Sequence, residues 1–230
     1  MSPSHGSCAD ELAAALGMRL RPVGFCYAQQ APPGALAFKG SGGCLASLIF
    51  AAARGATVAV GPASCGRPCA AFYLGFAPWI FEGIEQFLSC GPCLGREPER
   101  FIRTPDLARQ WLEAMRFSAP AGCVAVFKPF GSFAAEEHPE VVIFFATPDQ
   151  LSALVFLLHY DDPLAEQRVV ARFASACGSM VTLPLRSLRE GQPTALLEAA
   201  WAHAGESFLA TPTWARLRAR GYQQATADQR

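Results

Sequence analysis

Histidine is scarce in this sequence, and His5, His138, His159 and His203 show no metal-ligand spacing to one another or to any cysteine, which argues against a histidine-built catalytic zinc. There is no surplus of either charge: nineteen Lys and Arg balance nineteen Asp and Glu, so no global field draws in nucleic acid or anionic lipid. The Arg216 to Arg220 run is read as a solvated helix face. Long apolar runs are missing too, the longest being 44–53 and 151–158, too short to cross a bilayer. Met1-Ser2-Pro3-Ser4-His5 has no charged start followed by an apolar stretch, so the expected location is cytoplasmic, with neither membrane nor nucleic acid as partner.

Common catalytic signatures are absent as well. Gly40-Ser41-Gly42-Gly43-Cys44 has Leu45 where a dinucleotide fingerprint needs its last glycine, and no Walker lysine follows. No Gly-x-Ser-x-Gly elbow supplies a hydrolase nucleophile. The adjacent pairs Glu136-Glu137 and Asp161-Asp162 point apart on any regular element and are read as loop tips.

What the chain does have is sulfur. Nine cysteines, an odd number, occur among 230 residues that are 51% hydrophobic, enough for one domain with an ample core. Such a chain needs no disulfide framework, so the thiols are expected to be reduced. Cys65-Gly66-Arg67-Pro68-Cys69 and Cys90-Gly91-Pro92-Cys93 place four of them within 29 positions, at spacings that suit a soft metal or disulfide exchange. Cys8, Cys26 and Cys123 are read as packing residues, the last two lying in apolar strands.

Two stretches share an order. The first, about 20–70, runs strand (23–28), strand (35–39), apolar helix (44–54), strand (56–60), then Cys65-Gly66. The second, about 120–185, runs strand (123–128), strand (141–145), helix from Thr147 to Tyr160, then Cys177-Gly178. Thr147-Pro148-Asp149-Gln150 has the residues of a capping box, and Thr104-Pro105-Asp106 starts a similar helix through Arg116. Thr211-Pro212 predicts another. The expected fold is mixed α/β: a single domain in which two pseudo-symmetric strand-strand-helix halves share a sheet. A helical, aromatic-rich insert of about 71–118 lies between them and a helical region follows. In the insert, Tyr73, Trp79 and Phe81 are core residues first and pocket-lining candidates second.

These segments resemble a known family. Gly43-Cys44-x-Ala-x4-Ala-Ala-Ala-Arg-Gly55, Ser64-Cys65-Gly-x3-Ala-Ala-Phe-Tyr-Leu-Gly-Phe76, Val142-Ile-Phe-Phe-Ala-Thr-Pro148 and Ala174-Ser-Ala-Cys177-Gly with Pro184 are similar to the prokaryotic family called domain of unknown function 169. The resemblance spans about 20–185 and implies that Cys44, Cys65 and Cys177 are the recurring cysteines. It makes Cys69, Cys90 and Cys93 additions in this branch. It implies no settled substrate, and nothing carries over from Glu190 onward.

Cys44 follows a glycine-rich stretch and opens a helix, and Cys65 precedes Gly66 and a further helix. Such turns lower thiol pKa and bring backbone N–H groups close to an anionic centre. An all-thiol donor set favours an iron–sulfur cluster over zinc. Cys65, Cys69, Cys90 and Cys93 suffice for a 4Fe–4S cluster, and adding Cys44 and Cys177 allows a larger one, with N–H donors from Gly42, Gly43 and Gly66. The expected function is an iron–sulfur redox protein that transfers electrons to or from a partner protein or reduces a small molecule. The alternative is a non-catalytic small-ligand binding module with structural thiols or zinc. A dithiol exchanger at Cys90 and Cys93 is a third reading. A thioredoxin-like one is disfavoured because Leu94-Gly95-Arg96-Glu97-Pro98 cannot continue as the long helix such a motif opens.

Overall fold

Short, strongly apolar segments form the sheet in the computed structural model, which describes residues 5–37, 44–160, 169–170, 177–190 and 195–196. Its strands are β1 (Val23–Ala28), β2 (Leu36–Ala37), β3 (Val58–Val60), β4 (Val124–Pro129) and β5 (Val141–Ile143), in the order β2-β3-β4-β1-β5. β1 and β4 pair antiparallel at the centre, setting Phe25 opposite Phe127 with ring centroids 5.0 Å apart. β5 and β3 add antiparallel outside them, and β2 is parallel to β3. Two short strands, β6 (Val169–Val170) and β7 (Ala195–Leu196), pair separately.

β4 buries consecutive residues, Ala125 through Lys128, because both of its faces are covered. The helix α2 (Leu45–Ala53) lies against β4, β3 and β1, burying Leu45, Ile49 and Ala52 at helical spacing. Ala46 and Ala53, also buried, keep that contact close. Phe133 sits over Gly24 of β1, where a Cβ would come within 2.3 Å of its ring, so only glycine fits there. The buried Lys128, opposite Gly24, has its ammonium 4.4 Å from the Phe133 ring centroid and hydrogen-bonds both Glu137 carboxylate oxygens at 2.8 and 2.6 Å.

The cap signatures produce the expected helices. In α5 (Pro105–Met115), Thr104 Oγ1 accepts from the Leu107 N–H at 3.3 Å. In α6 (Pro148–His159), the Thr147–Gln150 capping box is complete, and Gln150 Nε2 also donates to the carbonyls of Leu16 and Gly17. That ties α6 to the end of α1 (His5–Ala15), a helix without a strong sequence signature, seated where Gly131 allows close approach to Gly6 and Ala9. α3 (Pro68–Tyr73) leads into the insert, which contains α4 (Ile84–Leu88) and α5, and α7 (Leu183–Arg189) follows a π-helical turn, Gly178–Thr182.

The fold is therefore mixed α/β. β1 and β4, the first strands of the two similar stretches, lie side by side as a twofold requires. Their outer neighbours do not correspond: β3 follows the helix of its stretch, whereas β5 precedes the helix of its own. Strand order thus leaves the twofold unestablished. Gly42, Gly43, Asp161-Asp162, the Thr211 helix and the Arg216 to Arg220 run lie outside the described residues.

Candidate metal centre

Two element starts bring a pair of thiols together, and a third sets Cys69 within electrostatic reach of them. Cys44 is the N-cap of α2, with extended backbone (φ −79°, ψ 154°) and no side-chain capping bond. Cys177 caps the π-helical turn and is buried. Their Sγ atoms stand 3.8 Å apart although 133 positions separate them in the chain. The backbone N–H of Ala46, in the first turn of α2, also bonds the Cys177 sulfur.

Cys69 lies in the first turn of α3, behind Pro68 at the helix start, and Cys65 stands just before that helix. The α3 end is fixed to the π turn by a hydrogen bond from Thr182 Oγ1 to the Tyr73 carbonyl at 3.0 Å. The π turn itself has a local cause: Pro184 lacks the N–H that a continuous α-helix would direct to Met180, and its ring would crowd that carbonyl. Widening the preceding turn relieves both.

The electrostatics show that these thiols sense one another. The hydrogen bond to Cys44 raises the Cys177 pKa well above the ordinary thiol value, and burial and the nearness of Cys44 and Cys69 add to it. Burial pushes Cys69 up to about 11, with Cys44 and Cys65 contributing and the Arg67 guanidinium opposing. Cys65 is raised by burial and partly offset by its bond to the Arg67 backbone. In the metal-free protein these three are protonated at neutral pH.

The spacing of the Cys44–Cys177 pair is that of a thiol–thiol contact, and it also suits a shared metal. A disulfide would need about 2.0 Å between the sulfurs. Two thiolates on one tetrahedral metal, each about 2.3 Å from it, stand about 3.8 Å apart. The sulfur-only donors fit iron or zinc. Among the described residues, however, no three His, Cys, Asp or Glu side chains are already drawn together as a metal-holding group, so this pair is the assembled part.

The second cysteine pair is tied to α4. Cys90 is exposed at the C-terminal end of α4, whereas Cys93 returns to its N-terminal end, with Sγ 3.8 Å from the Glu82 carbonyl and close to Gly83. Gly91 donates to the Gln86 carbonyl on the way, and a tight turn at Leu94 and Gly95, both at positive φ, closes the bridge from Cys93 to Arg96. Among the described residues, no three of Cys65, Cys69, Cys90 and Cys93 are drawn together as a metal-holding group. The Gly66 N–H is taken by the Ser64 carbonyl at 2.9 Å. Cys26 lies in β1 and Cys123 is buried just before β4, as packing residues should be. Phe72 meets Tyr73 and Trp79 edge to face within the core.

The sequence spacing favoured neighbouring cysteines and so did not single out the long-range Cys44–Cys177 pair. The signal that could have done so was that both belong to the three recurring positions implied by the resemblance. Nor did the sequence identify Ala46 or Thr182 as supports.

No curated protein and no solved structure matches the chain. The family model described as uncharacterised ArCR proteins matches residues 11–197, a longer span than the resemblance covered. The chain therefore belongs to the domain of unknown function 169 family.

Proposed function

We propose that the chain is a thiolate-ligated iron–sulfur redox protein whose centre is held by Cys44, Cys177, Cys69 and Cys65. The observation that carries this reading is the 3.8 Å approach of the Cys44 and Cys177 sulfurs, brought together from distant parts of the sequence. That spacing suits two thiolates on the same iron, as in a two-iron cluster or a single iron site. At the corners of a cubane each iron takes one cysteine, so such a pair would stand further apart. The centre thus supports a smaller unit than the 4Fe–4S cluster that the sequence spacing suggests.

The protein's own contribution is ligation, orientation and cover. The Ala46 N–H offsets negative charge at Cys177, Arg67 does so at Cys69, and the apolar core around Cys177 limits solvent. When bound, an iron–sulfur centre supplies one-electron transfer, with a partner protein or small molecule as donor or acceptor. Cys69 and Cys65 complete the set by turning toward the preassembled pair, which requires loss of their protons. Cytoplasmic placement is part of the proposal, in keeping with reduced thiols, and among the described residues no helix is long and apolar enough to cross a membrane.

Zinc meets the same spacing and is the second reading. Anaerobic purification with iron, zinc and acid-labile sulfide analysis separates the two. Coloured protein containing iron and sulfide supports the redox reading. Colourless protein that contains zinc, and takes up no iron on reconstitution, replaces it with a structural site.

A further inference from the structure

We infer that Cys44 and Cys177 are a reversible oxidation site, in which a hydroperoxide converts the metal-free pair to a disulfide that closes the centre to metal. The metal-closing part rests on the proposed function; the disulfide itself stands on geometry alone.

The two sulfurs already touch at 3.8 Å, and bonding requires an approach of roughly 1.8 Å from there to the disulfide length. Cys44 can supply that movement. As an N-cap with extended backbone and no capping bond, it can change its side-chain rotamer without breaking the α2 ladder. Cys44 is also half-buried, whereas Cys177 is 6% exposed, so oxidant reaches the Cys44 sulfur first. Cys177 then lies next to it as the resolving thiol.

The chemistry balances. The Cys44 sulfur, having lost its proton, attacks one peroxide oxygen; the O–O bond breaks and hydroxide or alkoxide leaves, taking up a proton. This forms a sulfenic acid at Cys44. The Cys177 sulfur then attacks Cys44 Sγ, the S–O bond breaks, and water leaves with the Cys177 proton. Two thiols lose two electrons and two protons in total, and the peroxide is reduced to water, or to water and an alcohol. A small dithiol reverses the bond by exchange.

Cys69 is the competitor, since it interacts with both members of the pair. Cys69 acts on both through charge, whereas the Cys44 and Cys177 sulfurs share a hydrogen bond with each other. That difference is the basis for assigning the bond to Cys44 and Cys177.

The test uses full-length protein stripped of metal by chelator, treated with hydrogen peroxide, alkylated and digested for mass spectrometry. The expected product is a Cys44–Cys177 linked peptide pair, two hydrogens lighter than the separate thiols and cleaved by dithiothreitol. Cobalt uptake should be lost on oxidation and regained on reduction. Cys177→Ser should instead leave Cys44 as a sulfenic acid that dimedone captures. A link from Cys44 to Cys69 or Cys65, or Cys44 driven to sulfinic acid in the wild type without any link, would overturn the assignment. A Cys44–Cys177 link that leaves cobalt uptake unchanged overturns the closing role. If the link forms while the reduced protein binds neither iron nor cobalt, the oxidation site stands and the proposed function fails.

Discussion

Raising the pH should unfold the metal-free protein in a manner that Cys69 reports directly. Its thiol moves from the ordinary 9.0 to about 11, chiefly through burial. Because the folded pKa is the higher one, the neutral thiol favours folding, and the resulting stability is complete below pH 9. It is lost as pH rises through 11, since the unfolded chain gives up this proton first. Two pKa units correspond to about 2.7 kcal/mol, of which about 1.4 kcal/mol is gone at pH 10. Cys177 and Cys65 are raised as well and steepen the same decline. The assay is urea unfolding of chelator-treated protein at pH 7.5, 9, 10 and 10.5, with Cys69→Ala measured in parallel. Wild type should lose stability faster than the variant, by about 1.4 kcal/mol more at pH 10. Metal-loaded protein, whose thiols have already lost their protons, should not show this loss. Equal slopes for wild type and Cys69→Ala would refute the argument that Cys69 is buried as a neutral thiol beside its neighbours.

The remaining predictions concern the centre and its scaffold. Because Cys65, Cys69 and Cys177 start protonated, each thiol recruited should release about one proton, so apparent metal affinity rises about tenfold per recruited thiol for each pH unit between 6 and 8, as competition titrations can measure. The double variant Cys90→Ser with Cys93→Ser should retain metal content within error, since those thiols lie along α4; loss of half or more of the metal would return them to the site. Thr147→Ala removes the oxygen that caps α6 and should cost about 1 kcal/mol in urea unfolding. Gly24→Ala should cost about 1–3 kcal/mol, because the new methyl meets the ring of Phe133, which packs against the buried Lys128.

Local signals were legible in the sequence wherever one short stretch carried the whole physical cause. Thr104-Pro105 and Thr147-Pro148 began helices because each threonine oxygen needs only the N–H three residues on. The continuous apolar run ahead of Lys128 became the buried central strand. Long-range features were less legible. Cys90 and Cys93 read as a pair by spacing, but the Gly91 bond to Gln86 carries the chain back along α4 and sets the Cys93 sulfur against the Glu82 carbonyl, a placement that spacing does not encode. Cys177 read only as the cysteine-glycine that ends the second stretch, yet it opens a π turn whose shape is set by Pro184 seven positions later. The meeting of Cys44 and Cys177 depends on where α2 and the π turn pack, which no window of sequence contains.

Cobalt titration of the reduced metal-free protein tests the central claim most directly, because the intensity of sulfur-to-cobalt charge transfer grows with each thiolate bound. Wild type should develop a tetrahedral spectrum of four-thiolate intensity at one equivalent, and Cys44→Ser, Cys65→Ser, Cys69→Ser and Cys177→Ser should each fall short by one thiolate. A wild-type spectrum without thiolate charge transfer, or one that survives unchanged in both Cys44→Ser and Cys177→Ser, would contradict a shared metal centre at these four sulfurs.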